Sequence, residues 1–168
     1  NFDEPLEEAE LKQYRGYVAR RAAREPVAYI LGHKGFLRYD FKVTRDTLIP
    51  RPETELLAEQ LVSLNKNRGA VRILDLGCGS GILSIAALKL GAASAAAVDI
   101  DDKCRDVAYE NAALNGIGQD TYTVRIGDVL GDAVLRADLG GGWQMVVANI
   151  VADVIIGLSP LVRPMLAP

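Results

Sequence analysis

The chain has 168 residues, which corresponds to about one domain at the usual ~100–200 residues per domain. Hydrophobic residues make up 49% of the sequence and charged residues 24%, and this composition excludes a disordered chain. Nineteen Lys and Arg against 22 Asp and Glu give a net charge of −3, which argues against direct contact with nucleic acid. One His and two Cys argue against a Cys/His zinc site, so no metal is expected.

The sequence also bears on location. No stretch reaches ~18 uninterrupted apolar residues, so no membrane partner is expected. Residues 1–5 are acidic and lack the basic-then-apolar pattern of a secretory signal. Cys78 and Cys104 are too few for a disulfide framework, and we therefore expect a reducing, cytoplasmic environment.

The first predicted element is a helix, since Leu6, Leu11, Tyr14, Val18 and Ala22 recur at spacings of three to five residues. Acidic residues gather near its start and basic residues near its end, the arrangement that the helix dipole favours. This pattern fits a solvated helix whose charges match its dipole. The alternative is a basic patch that meets RNA or an acidic partner.

Pro26 ends this helix, and the alternating apolar and polar residues of 33–44 predict a β-hairpin. In the segment 48–55, two prolines flank Arg51 and fix a stiff, extended chain. A further helix is predicted from residue 53 to about residue 65, closed by residues 67–69.

From residue 71 onward, strands and helices alternate. Strands are predicted at 71–76, 95–100, 121–126 and 143–149, and helices at 81–90, 102–115, 129–137 and 151–166. Strands separated by helices of this length predict right-handed βαβ units and a parallel sheet in an α/β fold.

A glycine-rich turn joins the first of these strands to its helix. Gly77, Gly79 and Gly81 allow positive φ and close approach of a ligand, and the helix start aims N–H groups at the same place. The third glycine comes one residue earlier than in the dinucleotide fingerprint, where Ile82 stands instead. Asp75 would repel a pyrophosphate and suits an ammonium or sulfonium group. A nicotinamide-dependent oxidoreductase is therefore disfavoured.

The segment from Asp75 to Gly81 resembles motif I of the class I S-adenosylmethionine-dependent methyltransferases. The resemblance implies a Rossmann-like, doubly wound parallel sheet of strand order 3-2-1-4, with S-adenosylmethionine as cofactor and S-adenosylhomocysteine as product. Asp99 would accept hydrogen bonds from the ribose hydroxyls, and Asp128 would accept a hydrogen bond from the adenine amino group. The implied cofactor-binding residues are Asp75, Gly77, Cys78, Gly79, Gly81, Asp99, Ile100, Asp128, Val129 and Asn149.

Two families within that superfamily are recognisable. Residues 16–57 resemble the release-factor glutamine methyltransferases of the HemK or PrmC type, in the segments 24–32, 35–43 and 49–55. This resemblance implies a helical N-terminal domain, of which the last helix would be present here.

Residues 73–168 resemble instead the ribosomal-protein methyltransferases of the PrmA type, in the segments 76–92, 111–115 and 147–154. On these resemblances we divide the chain into an N-terminal helix and hairpin linker, 1–47, and an S-adenosylmethionine-binding methyltransferase domain, 48–168.

The two resemblances disagree at the fourth strand. The release-factor enzymes carry Asn-Pro-Pro-Tyr there, whereas Asn149 is followed by Ile150, Val151 and Ala152. The ribosomal-protein family, in turn, has a glycine- and threonine-rich segment where this chain has its Pro-Arg-Pro-Glu segment. The sequence is therefore interpreted as a hybrid. It is also expected to be incomplete, because both families place a glycine turn and three further strands after residue 168.

The implied activity is methylation of a protein of the translation machinery. Asn149 is the expected catalytic residue, since it would orient the accepting nitrogen. The apolar residues after it favour the amine of a ribosomal protein over the glutamine amide of a release factor. A non-catalytic fragment or chimera that keeps the cofactor fold is the remaining alternative. The expected substrate-binding residues are Pro50, Arg51, Pro52, Glu53, Ile150 and Val151.

The last expectation concerns assembly. In the order 3-2-1-4, the strand 143–149 lies at an edge of the sheet, and its sequence carries no Lys or Pro gatekeeper. Exposed strands of this kind pair with other chains, so we expect the chain to self-associate through this edge.

Overall fold

The computed structural model describes residue 5 and residues 7–45, 49–65 and 69–168. Leu6 of the predicted first helix, and residues 67 and 68 of the predicted turn after the 53–65 helix, lie outside these residues.

Helices and strands follow the predicted order along the chain, except that a short helix at Val27–Leu31 was not predicted. The helices are α1 (Glu8–Ala22), α2 (Val27–Leu31), α3 (Pro52–Asn65), α4 (Ile82–Lys89), α5 (Lys103–Leu114), α6 (Ala133–Leu139) and α7 (Ala152–Val162), which continues into a 3₁₀ turn, Arg163–Met165. The strands are β1 (His33–Phe36), β2 (Tyr39–Lys42), β3 (Arg72–Leu76), β4 (Ser94–Asp99), β5 (Tyr122–Ile126) and β6 (Met145–Ala148). In the described part of the chain, no helix combines the length and the apolar character that crossing a bilayer demands.

The four strands from β3 to β6 form a parallel sheet of order β5-β4-β3-β6, which confirms the predicted order 3-2-1-4. In this register Asp75 lies beside Ala97 and Val147, and Asp99 lies beside Ile126. The carboxyl ends of all four strands therefore meet at one edge of the sheet, where open α/β sheets bind their ligands.

Both faces of the sheet are buried. Ile73 points into a cluster covered by α3, α4, α5 and the hairpin, whereas Leu74 points into a second cluster under α6 and α7. This alternation follows from the two-residue period of a strand, and two covered faces explain why these strands are almost continuously apolar.

The hairpin β1–β2 forms as predicted and packs on α5. Phe36 and Phe41 are both buried, with ring centroids 5.9 Å apart in an edge-to-face arrangement, in the same cluster as the sheet. The division of the chain at residue 47 stays a prediction.

The first helix contributes no buried side chain, as expected of a solvated helix. Arg20 connects it to the segment that follows. The Arg20 guanidinium donates to the Glu25 carboxylate at 2.7 and 2.8 Å and to the backbone oxygens of Tyr29 and Ile30. Arg45, which follows the hairpin, also donates to Glu25 at 2.9 Å. The two guanidinium groups lower the pKa of the Glu25 carboxyl to about 2.

Three predicted elements after residue 71 have boundaries that were wrong by two residues or more. The helix placed at 151–166 ends at Val162 and continues into the 3₁₀ turn. The helix placed at 129–137 begins at Ala133, because the Asp132 side chain accepts hydrogen bonds from the Val134 and Leu135 amides and caps the helix there. The edge strand placed at 143–149 is limited to β6. At its start, Trp143 pairs with the segment after α7 instead, through bonds between Trp143 N–H and Met165 O and between Ala167 N–H and Trp143 O. The edge predicted to be exposed is therefore covered at this end.

Candidate functional site

A cavity of about 630 Å³ opens at the carboxyl ends of β3 and β6. Its walls come from the segment 49–54 before and at the start of α3, the glycine loop and first turn of α4 (77–83), the first turns of α5 (103–107), and the loop 149–151 after β6. Asp75 lies at its floor, at the carboxyl end of the central strand β3.

The cavity brings together ten of the residues predicted from the sequence and leaves six outside its walls. Those that line it are Pro50, Arg51, Glu53, Asp75, Gly77, Cys78, Gly79, Asn149, Ile150 and Val151. Those outside are Pro52, Gly81, Asp99, Ile100, Asp128 and Val129. Asp99 and Asp128 still belong to the same edge of the sheet, since they follow or end the neighbouring strands β4 and β5.

The glycine loop is held by hydrogen bonds from its own backbone. The amides of Gly77 and Cys78 donate to Val98 O at 2.8 and 3.1 Å, and the Gly79 amide donates to the Asp99 carboxylate at 2.8 Å. The loop residues 77, 79 and 81 have φ values of +75°, +52° and +76°, which only glycine adopts without strain.

Two of these glycines are also required by close packing. A Cβ at Gly77 would lie 2.2 Å from Cγ2 of Ile150, and a Cβ at Gly81 would lie 2.6 Å from the Tyr122 hydroxyl and 3.1 Å from Cβ of Ala108. The loop therefore contacts the 149–151 segment on one side and Tyr122 and Ala108 on the other. These contacts fix its position in the cavity wall.

Asp75 is a buried carboxylate with one free oxygen. Only 1% of the residue is exposed, and Oδ2 accepts from Ser84 N–H at 3.2 Å and from Ser84 Oγ at 2.8 Å. Oδ1 has no hydrogen-bond partner among the described residues. Burial raises the pKa of Asp75 to about 6, against the opposing effect of the two Ser84 bonds. A buried acceptor without a partner is costly, so this oxygen calls for a donor supplied from the cavity.

Asp99 and Asp128 each hold a turn at the end of a strand. Asp99 accepts from Gly79 N–H through Oδ2 and from Asp101 N–H, at 3.0 Å, through Oδ1. Asp128 is exposed and accepts from Leu130 N–H at 2.9 Å. Both carboxylates keep further lone pairs, because each carboxylate oxygen can accept more than one hydrogen bond.

The two cysteines at the site are poor nucleophiles. Burial raises the pKa of the Cys78 thiol above its usual range and raises that of Cys104 to about 12. The thiolate is the reactive form of cysteine, so neither residue is set up to attack a substrate.

Asn149 is held by a residue that sequence reasoning missed. Its Nδ2 donates to Oγ1 of Thr54 at 3.0 Å, across 95 residues of sequence. Thr54 is buried in the first turn of α3 and lines the same cavity. Nothing in the local sequence marked Thr54 apart from the neighbouring Pro-Arg-Pro-Glu residues, and only packing of α3 against the end of β6 reveals the contact.

Two family models match the chain. Residues 52–168 match the model described as "Ribosomal protein L11 methyltransferase (PrmA)", and residues 1–32 match the "PrmC N-terminal domain". The PrmC N-terminal match ends at residue 32, and the PrmA match begins at residue 52, which is earlier in the chain than the change of family between 57 and 73 that the sequence analysis placed.

Individual relatives come from both families. A release factor glutamine methyltransferase from Agrobacterium fabrum is 35% identical over 169 residues, which cover 96% of this chain and 56% of the relative. A ribosomal protein L11 methyltransferase from Agathobacter rectalis is 39% identical over 111 residues, which cover 65% of this chain and 34% of the relative. The chain thus spans about half the length, or less, of these relatives.

Among solved structures, the ribosomal protein L11 methylase from Lactobacillus delbrueckii subsp. bulgaricus is similar, with a TM-score of 0.60 and 35% sequence identity. The match covers 74% of this chain and 60% of that one.

Proposed function

Because this chain belongs to the ribosomal protein L11 methyltransferase (PrmA) family, a group of class I S-adenosylmethionine-dependent methyltransferases, we propose that it binds S-adenosylmethionine and methylates a protein of the translation machinery. The single observation that carries the proposal is the buried Oδ1 of Asp75, which has no partner among the described residues, in a residue that lines the cavity beside the glycine loop. The amino acid part of S-adenosylmethionine carries an ammonium group, which would supply the missing donor.

The remaining parts of the cofactor fit the other residues at this edge of the sheet. In our proposal the ribose hydroxyls donate to Asp99, which ends β4, and the adenine amino group donates to Asp128 after β5. Ile100 is 72% exposed although it is a large apolar residue, and it would be covered by the adenine ring. Val129, which is buried under α6, would support the other side of the adenine pocket.

When bound, S-adenosylmethionine supplies an activated methyl group, and the protein has to present a neutral nitrogen to it. Because Nδ2 of Asn149 is engaged by Thr54, Oδ1 of Asn149 is left to accept an N–H of the substrate. That bond would aim the nitrogen lone pair at the methyl group. Holding two reactants in line can lower a barrier by about 7–11 kcal/mol.

The residues after Asn149 favour an amine substrate. A lysine amine has an ordinary pKa of about 10.4 and must lose a proton before it can accept a methyl group. Ile150 and Val151 line the cavity with apolar side chains, and an apolar surrounding lowers the pKa of an ammonium. In our proposal, Arg51 and Glu53, which line the same cavity, would contact the polypeptide that carries the amine.

A second candidate is methylation of a glutamine amide in a release factor. It is favoured by the match of residues 1–32 to the PrmC N-terminal domain and by the alignment of 96% of the chain with a release factor glutamine methyltransferase. The same Asn149 oxygen would then orient an amide N–H, whose nitrogen is a weaker nucleophile. The Pro-Pro-Tyr sequence that the resemblance implies for such enzymes is replaced here by Ile150, Val151 and Ala152.

Calorimetric titration with S-adenosylhomocysteine tests the cofactor, and binding is expected. Transfer is then tested with methyl-labelled S-adenosylmethionine and either purified ribosomal protein L11 or a purified release factor. After acid hydrolysis, label that stays in an amino acid with a methylated amine supports the first candidate. Label released as volatile methylamine supports the second, because hydrolysis cleaves a methylated amide. Binding without transfer to either protein favours a non-catalytic chain, and a failure to bind overturns the proposal.

A further inference from the structure

A buried asparagine connects the hairpin to the glycine loop. Asn111, on α5, is 0% exposed and lies in none of the predicted sites. Its Oδ1 accepts from the Lys42 backbone N–H at 2.6 Å, and its Nδ2 donates to Ser80 O at 3.0 Å. These contacts join segments that are 69 and 31 residues away from it in sequence.

The two partners fix the orientation of the amide. A backbone N–H can only donate, so the side-chain oxygen of Asn111 has to face Lys42. A backbone carbonyl can only accept, so the NH₂ group has to face Ser80. Turning the amide over would break both bonds and bury two unsatisfied groups, which makes the reversed orientation costly.

Ser80 is the one residue between Gly79 and Gly81, which both have positive φ. Glycines on either side leave the Ser80 peptide group free to turn at little cost unless something holds it. The rest of the loop is anchored through Val98 and Asp99, both on the β4 side. The Asn111 amide supplies an anchor from α5.

We propose that Asn111 is a positioning residue for the glycine loop, and that the hairpin holds it in its working orientation. Docking of β2 on α5 is then a condition for tight cofactor binding, although the hairpin itself does not line the cavity. The proposal deepens the proposed function and rests on it for the identity of the cofactor. A partner that separates the hairpin from α5 would therefore lower the affinity for the cofactor without contacting the cavity.

The hairpin offers matched controls, because other contacts hold it to α5 without reaching the loop. Nδ2 of Asn115 donates to Asp40 O at 2.8 Å, and the Lys42 side chain pairs with Glu110. Loss of either contact weakens hairpin docking but leaves the two bonds of the Asn111 side chain in place.

The central comparison is Lys42→Pro against Lys42→Ala. Both substitutions remove the ion pair with Glu110, but only proline also removes the N–H that donates to Asn111. Phe41, the preceding residue, is already extended, as a residue before proline prefers. We expect Lys42→Pro and Asn111→Ala to weaken S-adenosylhomocysteine binding about tenfold, and Lys42→Ala and Asn115→Ala to change it by about twofold or less.

Amide hydrogen exchange gives a second readout that needs no ligand. The Gly79 and Gly81 amides, which bond to Asp99 and to Cys78 O, should exchange faster in Lys42→Pro and Asn111→Ala than in the two controls. Circular dichroism checks the fold, and if Lys42→Pro does not fold, the pair Asn111→Ala and Asn115→Ala carries the test.

Equal affinity and equal loop exchange in a folded variant and its control would overturn the positioning role. If the wild-type chain binds no S-adenosylhomocysteine while loop exchange still rises in the two test variants, the proposed cofactor is wrong and the role of Asn111 stands.

Discussion

Gly77 and Ile150 are in such close contact that a side chain at position 77 would have to displace Ile150. A Cβ there would lie 2.2 Å from Cγ2 of Ile150, and the φ of +75° adds backbone strain for any L side chain. The glycine loop and the loop after β6 therefore support each other. The wall that would hold the cofactor and the wall that would hold the methyl acceptor are therefore in direct contact.

We expect Gly77→Ala to lower the free energy of unfolding by about 1–3 kcal/mol and to weaken S-adenosylhomocysteine binding, because Ile150 has to move. Gly116→Ala is the matched control, since Gly116 has a similar φ of +69° but has no atom within 4 Å of the new Cβ. Thermal melting and calorimetry measure both effects. If the two variants behave alike, backbone strain and not the Ile150 contact is responsible.

Asp75→Asn should stabilise the free chain at pH 7 and weaken cofactor binding. The raised pKa of about 6 means that the folded chain binds a proton more tightly than the unfolded chain does. Stability is therefore lost as the pH rises from about 3.8 to 6, and the asparagine avoids a cost of up to about 3 kcal/mol at pH 7. Chemical unfolding at pH 7 measures the gain.

Titration of Asp75 should also make the binding of S-adenosylhomocysteine depend on pH. S-adenosylhomocysteine should bind the wild-type chain more weakly as the pH falls through about 6, because protonated Asp75 attracts an ammonium less. The Asp75→Asn variant should lose this dependence. An affinity of the wild type that stays flat from pH 7.5 to pH 5 would contradict the assignment of Asp75 to the amino group.

For Asp99→Ala, we expect a loss of about 1.5–3 kcal/mol in S-adenosylhomocysteine affinity, the range for hydrogen bonds to a charged group. Part of this loss comes from the Gly79 amide, which also bonds to Asp99. A 2′,3′-dideoxy analogue separates the two effects. Removing the ribose hydroxyls should weaken binding to the wild type but not to the variant, and equal losses in both would rule out the ribose contact.

Thr54→Val should reduce turnover about tenfold while leaving S-adenosylhomocysteine affinity unchanged, because Thr54 acts through Asn149 on the acceptor. Valine keeps the shape of the buried side chain and loses the acceptor. Thr54→Ser, which keeps the hydroxyl, should retain turnover. Turnover is measured with the protein substrate that the wild-type chain methylates. Equal loss in the valine and serine variants would mean that packing, and not the hydrogen bond, is what matters.

Self-association through β6 is tested by sedimentation velocity over a concentration series to the high micromolar range. Val147→Lys would be an unsuitable probe of this edge, because Val147 is buried in the core. Hydrogen exchange serves instead. The β6 amides should become more protected at high concentration, with α5 as an internal reference. A monomer at every concentration would refute the prediction.

The sheet was predictable from sequence because its signals are local. The apolar runs and the turn at Gly77, Gly79 and Gly81 fixed the strand–helix alternation, and the acidic residues after the strands marked one edge of the sheet. The edge elements were harder to predict. The α6 start depended on the single cap at Asp132, and β6 was shortened when Trp143 paired with residues near the C-terminus.

The contacts that organise the site were harder to predict from the sequence than the sheet was. Thr54 and Asn149 are 95 residues apart, and Asn111 and Lys42 are 69 apart. Each pair meets only because whole elements pack together, and a polar residue on a helix looks like any other surface residue until its neighbours are known. Burial of Asn111 and Asp75 was likewise invisible in the sequence, since it depends on which side of a helix or strand is covered.

Trp143 gives this fold an optical probe of its own edge. It is the single tryptophan of the sequence, and its indole is buried, donates to Leu139 O at 3.2 Å and lies 4.4 Å beneath the Arg72 guanidinium. Its backbone is also paired with residues 165–167. Detachment of that segment would bring water to the indole and shift its fluorescence emission to longer wavelength. The integrity of the sheet edge can therefore be followed without a label.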